Sequence, residues 1–297
     1  MINPHPGLPE LEYMKPTSLM EASQFLADHA GDARAFSGGT DCFVRLRDGA
    51  WKTGTLVDIK QLEGVKELSF DAQKGLTIGA AVTMNQVAAH PEIRKHYPIL
   101  AEAAASVASY QLRNRATVVG NICNASPAGD TLGTCMILDG VLNVHGVNGF
   151  HAIPLGNFFL APGKTVLKPG DVVVSISFPL PPKGMVGTYK KLGRNSVGDL
   201  SIVGVAVLGY PTRETSSGFR FRIALTSVAP TPYESFKAEA VLAEKEITPE
   251  SIADASVAAM DSVSPIDDVR GSARYRKFMV RNLTREAVTE VWMKIGK

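Results

Sequence analysis

Ala116-Thr-Val-Val-Gly-Asn-Ile-Cys-Asn-Ala-Ser-Pro-Ala-Gly-Asp130 decides how this chain is read. It reads as a loop, with an apolar lead-in, a glycine, two asparagines, small hydroxyl residues and a carboxylate at its far end. Gly120 has no Cβ, so backbone there admits close approach by a bulky polar ligand. The competing reading is a wide, Asx-stabilised connection with no ligand. Some eighty residues upstream lies a second turn of the same character, Phe36-Ser-Gly-Gly-Thr-Asp41, after a short strand expected at 33–37. Consecutive amides around Gly38 and Gly39 can point at one spot and form an anion nest. Two such segments suggest one extended ligand, a dinucleotide.

It is not the Rossmann arrangement. No Gly-x-Gly-x-x-Gly is present and no acidic residue stands at the expected distance. Nor is there a convincing nucleophile–base pair, a His-Glu-x-x-His or a cluster of metal ligands. The six histidines are scattered. The three cysteines, Cys42, Cys123 and Cys135, have no zinc or iron–sulfur spacing and read as buried thiols of a reducing compartment.

Working outward, Ser18-Leu-Met-Glu21 and Thr83-Met-Asn-Gln86 are capping boxes that open helices. Gly31 is expected to close the first helix as a left-handed cap. Strands are expected at 54–59, at 65–70 and 75–79 as a hairpin, and at 142–145 and 171–178. Residues 43–46 are left open between helix and strand, and 99–109 has helical spacing. Pro179-Leu-Pro-Pro182 is the clearest boundary, since prolines block helix and central strand alike. Beyond it come strands at 187–192, 202–209 and 219–228. Two helices follow, one opened by Thr248-Pro249 and one over about 272–294.

With 297 residues, 45% hydrophobic and 20% charged, the chain has enough apolar material for two or three subdomains. A net charge of +2 is too near neutral to argue for nucleic acid. The basic run Arg270, Arg274, Arg276, Lys277, Arg281 and Arg285 is read as a solvated helix face, or second as a docking surface for a partner subunit. No apolar run reaches the roughly twenty residues of a membrane helix, and the first residues lack a signal-peptide pattern. The expected location is cytoplasmic.

In order, Gly-Gly-Thr-Asp at 38–41, Leu-Val-Asp-Ile at 56–59, Leu-Thr-Ile-Gly-Ala-Ala-Val-Thr at 76–83 and Arg-Asn-Arg-Ala-Thr-Val-Val-Gly-Asn at 113–121 resemble the FAD-binding medium subunits of molybdenum hydroxylases. Xanthine dehydrogenases, carbon monoxide dehydrogenase and 4-hydroxybenzoyl-CoA reductase contain this module. The resemblance covers essentially the whole chain. It implies an α+β, two-subdomain FAD-binding fold (vanillyl-alcohol-oxidase-like) at about 1–60 and 61–178, followed by a C-terminal antiparallel sheet with helices at 179–297. It implies FAD as cofactor. A large subunit would carry the molybdopterin cofactor and a small subunit the [2Fe–2S] clusters. The external carrier would be NAD(P) or another acceptor.

Residue by residue, the resemblance places Ala35, Phe36, Ser37, Gly38, Gly39, Thr40, Asp41 and Cys42 around the pyrophosphate. Thr117, Gly120, Asn121 and Asn124 fall on the phosphate and flavin side, with Asp130 on ribityl or ribose hydroxyls. Val107, Ala108 and Val173 match apolar contacts, and Lys190 matches a lysine near the flavin. Val119 stands where the family often has glycine, and the cysteine-bearing insertion of the benzoyl-CoA branch is absent. Two alternatives stay open: a self-contained flavin oxidoreductase, and a cofactor-free scaffold subunit.

Overall fold

The computed structural model describes residues 7–195 and 197–295. The first unit comprises β1 (Glu12–Met14), α1 (Leu19–Asp28), β2 (Ala33–Phe36), α2 (Cys42–Arg47) and β3 (Thr55–Asp58). Its strands form a parallel sheet in the order β1-β3-β2. The edge strand β1 was not anticipated, because three residues, two of them exposed, leave no periodic signal. Residues 43–46 resolve as helix. Ser18 caps α1 by accepting from the Glu21 amide at 3.1 Å, but the Glu21 carboxylate turns to Thr17 instead of closing the box. His29, not Gly31, is the C-cap of α1; Gly31 takes its positive φ in the turn beyond.

The second unit contains β4 (Leu68–Asp71), β5 (Gly75–Gly79), α3 (Met84–Ala89), α4 (Pro91–His96), α5 (Pro98–Ser106), α6 (Tyr110–Arg113), α7 (Val118–Asn124) and α8 (Leu132–Ile137). It continues with β6 (Val141–Gly146), β7 (Gly149–Pro154), the small hairpin β8 (Phe159–Ala161) and β9 (Lys164–Thr165), and β10 (Val172–Phe178). The five-stranded sheet runs β4-β5-β10-β6-β7, antiparallel throughout. The Thr83–Gln86 box forms with both arms in place.

The third unit is a four-stranded antiparallel sheet, β11 (Val186–Leu192), β12 (Val203–Pro211), β13 (Phe219–Thr226) and β14 (Tyr233–Glu234), in sequence order. Helices α9 (Phe236–Glu244), α10 (Pro249–Asp261) and α11 (Ala273–Ile295) pack against it. Thr248 caps α10 in a box with Ser251, with Pro249 in the first turn.

β12 shows why its sequence is apolar without alternation. Val203, Val205 and Val207 face the core under α9–α11, whereas Ala206 and Leu208 join the core of the first two sheets. Both faces are buried, so both need apolar side chains. The same alternation runs along its partner β11, where Tyr189 pairs with Ala206 and Lys190 with Val205. Neighbouring residues of β11 therefore serve opposite sides of the sheet.

The basic run is not uniformly solvated. Arg276 is 1% exposed. It donates to the Ile202 and Ser227 carbonyls at 2.6 and 3.0 Å and to Asp268 at 2.6 Å. Its place in the basic run had put it with the surface arginines. A buried acceptor set that includes Asp268 draws it inward instead.

Candidate functional site

The turn after β2 is held from two sides. The Ser37 hydroxyl donates to the Ala80 carbonyl at 3.0 Å. At Gly38 the two glycine-bearing segments touch, since a Cβ there would lie 2.2 Å from the Arg115 carbonyl oxygen. Gly39 has φ +75°, a conformation that favours glycine, and a Cβ there would strike the Phe36 ring. The amides of Gly38, Gly39, Thr40 and Asp41 have no acceptor among the described residues. Four consecutive free N–H groups form the nest that the sequence suggested.

The segment 116–130 is not an open loop. Thr117 caps α7, accepting from the Gly120 amide at 2.9 Å, and Ala125 ends the helix with φ +48°. Apolar Val118, Val119 and Ile122 are buried on one side, which makes helix the favoured state despite the glycine and asparagines. The Gly120 amide is thus occupied by its own cap. What Gly120 offers is its missing side chain: a Cβ would meet only Thr117, at 2.7 Å from its hydroxyl. Asn121 accepts from the Thr131 hydroxyl at 2.8 Å, and the Asn124 Oδ1 is buried with no partner.

Between these segments runs a cleft of about 610 Å³. Its walls include every residue from Ala35 to Cys42, together with Val107, Ala108, Thr117, Gly120, Asn121, Asn124, Asp130 and Val173. The volume lies in the range of small-molecule sites. Val107 and Ala108 form a strained corner, Ala108 with φ +41°, and Arg113 donates to both their carbonyls at 2.8 and 3.2 Å.

The model of the FAD binding domain in molybdopterin dehydrogenase matches residues 9–181. That of the CO dehydrogenase flavoprotein C-terminal domain matches 187–291. The chain is 32% identical to the carbon monoxide dehydrogenase medium chain of Hydrogenophaga pseudoflava, covering 96% of this chain and 98% of that one. This chain belongs to the FAD subunits of the molybdopterin dehydrogenases. It is also 28% identical to the xanthine dehydrogenase FAD-binding subunit of Escherichia coli O157:H7, over 94% of each chain. The structure of carbon monoxide dehydrogenase from Hydrogenophaga pseudoflava superposes with a TM-score of 0.91 at 31% identity, covering 96% and 98% of the two chains. Quinoline 2-oxidoreductase from Pseudomonas putida 86 superposes at 0.87 with 26% identity, over 97% and 98%.

The cleft of this FAD subunit fits that cofactor. Four free amides suit a pyrophosphate, and the orphaned Asn124 oxygen needs a donor such as a ribityl hydroxyl. Asp130 is 5% exposed, and its carboxylate is already engaged by Tyr189 at 2.9 Å and Lys191 at 2.7 Å. It therefore sits at the cleft wall as half of an ion pair, which differs from the free hydroxyl acceptor that the resemblance implied. Burial pushes the Asp130 carboxyl up, and the Lys191 ammonium and Tyr189 hydroxyl work against that.

Lys190 is not at the cleft. It reaches across to α11, pairing with Glu290 at 2.6 Å and Glu286 at 3.1 Å. The strand period of two puts Lys191, not Lys190, on the cleft side. Lys191 Nζ also donates to the Ser106 carbonyl at 3.0 Å, behind the Val107–Ala108 corner.

Cys135 is fully buried as expected, while Cys42 and Cys123 are half-buried and line the cleft. Burial holds the Cys123 thiol at about 12 and raises that of Cys42. Sequence reasoning missed Arg34, Trp51, the β8–β9 hairpin and Gly198–Leu200, all on the cleft wall. Tyr189-Lys-Lys191 was legible, because an i, i+2 pair on a strand shares a face. The hairpin residues carry no such signal. Among the described residues no group of His, Cys, Asp and Glu could hold a metal, and no helix is long and apolar enough to cross a membrane.

Proposed function

We propose that this FAD subunit relays electrons between [2Fe–2S] clusters on a small partner subunit and an external carrier, NAD(P) being the first candidate. A large partner subunit would hold the molybdopterin cofactor and the substrate. The three larger sheets support dividing the chain at about 1–60, 61–178 and 179–297, the first two units clasping the cofactor. FAD supplies the redox chemistry, exchanging electrons singly or in pairs.

The observation that carries this reading is the cleft itself, walled by the free amides of Gly38 to Asp41 and the orphaned Asn124 oxygen. The residues from Ala35 to Cys42 would hold the pyrophosphate through main chain. Thr117 would fix the helix start, Gly120 would leave room, and Asn121 and Asn124 would take ribityl or ring groups. Val107, Ala108 and Val173 would exclude water beside the ring. Lys191 would neutralise the Asp130 carboxylate at the cleft wall, so that this carboxylate does not oppose negative charge on the reduced cofactor.

The test compares the FAD-loaded chain alone with the assembled complex, using substrate and NAD+ as the acceptor. Substrate-dependent reduction of the carrier only in the complex is expected. Full substrate turnover by the single chain would favour a self-contained oxidoreductase instead.

A further inference from the structure

The basic run of the last helix has no role in the relay described above. Between Asp268 and Glu286 the chain carries six cations and no carboxylate. Arg270 and Arg276 are held by Asp268 at 2.7 and 2.6 Å. Arg274, Lys277, Arg281 and Arg285 have no carboxylate within ion-pairing distance among the described residues. The acids farther along α11 are engaged elsewhere, Glu286 by Lys190 and Glu290 by Lys190 and Lys294. Asp267 turns its carboxylate to the Ala273 amide.

Local electrostatics disfavour this arrangement. Arg274 lies in the first turn of α11, where the helix dipole repels cations. Lys277, Arg281 and Arg285 follow one another at i, i+4, a spacing at which like charges destabilise a helix. No counter-charge among the described residues offsets either effect. Arg274 and Arg281 are braced on Phe278 instead, their guanidinium carbons 5.6 and 5.4 Å from its ring centroid. Both are thus positioned for acceptors outside the chain.

Apolar side chains sit beside these charges. The turn before α11 exposes Ile266 and leaves Val269 94% exposed. That turn is rigid, because Asp268 and Gly271 exchange backbone hydrogen bonds at 3.2 Å each and the buried Arg276 pins Asp268. Tyr275 is exposed next to it. Fixed apolar residues flanked by free arginines have the composition of a protein interface, and nucleic-acid phosphates offer Val269 nothing.

The same turn abuts the cofactor cleft. Arg270 Nη1 donates to the Ser201 carbonyl at 3.5 Å, and Arg276 Nη1 to that of Ile202 at 2.6 Å. The residues just before, Gly198 to Leu200, line the cleft, and Leu200 is also exposed. A subunit seated on Val269 lies beside the cofactor. That place suits the subunit that passes electrons to it, and one that only holds substrate does not need it.

We infer that the Ile266–Val269 turn and the exposed stripe of α11 form a docking face for the iron–sulfur partner subunit, which meets it with carboxylates around an apolar pocket. The inference rests on the relay reading above.

Sedimentation of the complex, rebuilt from the FAD-loaded full-length chain and its partner subunits at low and high salt, tests it. Wild type should assemble, more weakly at high salt. Val269→Glu should weaken capture of the iron–sulfur subunit about ten- to a hundred-fold, the loss of an interface anchor. Arg274→Glu should weaken it about tenfold and flatten the salt dependence. Because Arg274→Glu puts an acid in the first turn of α11, the free chain should melt no lower than wild type, whereas a structural role would lower its melting temperature. Arg213→Glu, the same charge change on an exposed residue beyond the far end of β12, should assemble normally. Undiminished capture by Val269→Glu and Arg274→Glu would overturn the inference, and so would an equal loss in Arg213→Glu. Retention of the iron–sulfur subunit with release of the large one would overturn it too, giving the face to the large subunit. Unchanged assembly with loss of duplex-DNA binding would reassign the face to nucleic acid. A wild-type chain that captures no iron–sulfur subunit would contradict the relay reading itself.

Discussion

Lys191 and Asp130 meet at 2.7 Å, across the boundary between the third sheet and the cofactor cleft. Asp130 follows α7, and Lys191 lies near the end of β11, sixty-one residues later. Tyr189, two residues before Lys191, completes the enclosure of the same carboxylate at 2.9 Å. The pair ties the C-terminal sheet to the second unit at the wall where the cofactor belongs.

Breaking this pair should be costly. Lys191→Met leaves the Asp130 carboxylate buried without its cation, and a loss of about 3–5 kcal/mol is expected. Lys190→Met removes only a partly exposed pair and should cost about 0–1 kcal/mol. Urea unfolding of the two apoproteins measures the difference. Equal losses would contradict the assignment of opposite faces on β11.

Glu239 gives a pH dependence with a defined sign. Burial, reinforced by nearby Glu234, raises its carboxyl to about 7, while its Oε1 accepts from the Ile223 amide at 2.8 Å. In the unfolded chain a glutamate titrates near its ordinary value of about 4.3. Between these values the folded state binds more protons, so this group's contribution to stability falls as pH rises. Glu239→Gln keeps the acceptor and removes the titration. The melting temperature of wild type relative to Glu239→Gln should decline from about pH 4.3 towards 7. A difference independent of pH would refute the shift.

Thr117 is predicted to act through the helix it caps. Thr117→Val should lose about 1 kcal/mol, and Thr117→Ser should retain it, because serine also accepts from the Gly120 amide. Chemical denaturation reads both. Equal stability of the valine variant would mean the cap is not sustained in solution.

Gly38 and Gly120 answer different questions. Gly38→Val drives a side chain into the Arg115 backbone, so it should lower both stability and flavin content. Loss of flavin in that variant reports on how the two segments pack and says little about ligand contact.

Much of the fold was legible because its signals are local. The Thr83 and Thr248 caps, the prolines at 179–182 and the long strand β12 each carry their reason in adjacent residues. The glycine turn at Gly38 and Gly39 was legible for the same cause. What escaped depends on distant partners. Residues 118–124 became a helix because Val118, Val119 and Ile122 find a core that the sequence does not display. Arg276 is interior because Asp268 and two carbonyls await it. Lys190 was preferred over Lys191 by motif likeness, where strand alternation pointed to Lys191. β1 and the β8–β9 hairpin are too short to show a period.

The account's central claim is that FAD lies between the Gly38 turn and the Gly120 helix start. A Cβ on Gly120 would meet only the Thr117 hydroxyl, at 2.7 Å, so Gly120→Val fills the cleft and disturbs nothing in the protein but the Thr117 cap. The deciding measurement is an equilibrium titration of FAD into the apoprotein, wild type against Gly120→Val, with melting temperature recorded for both. Stoichiometric binding by wild type, its loss in Gly120→Val and a melting temperature of that variant no lower than that of Thr117→Val are predicted. Unchanged FAD affinity in a folded Gly120→Val would contradict the claim.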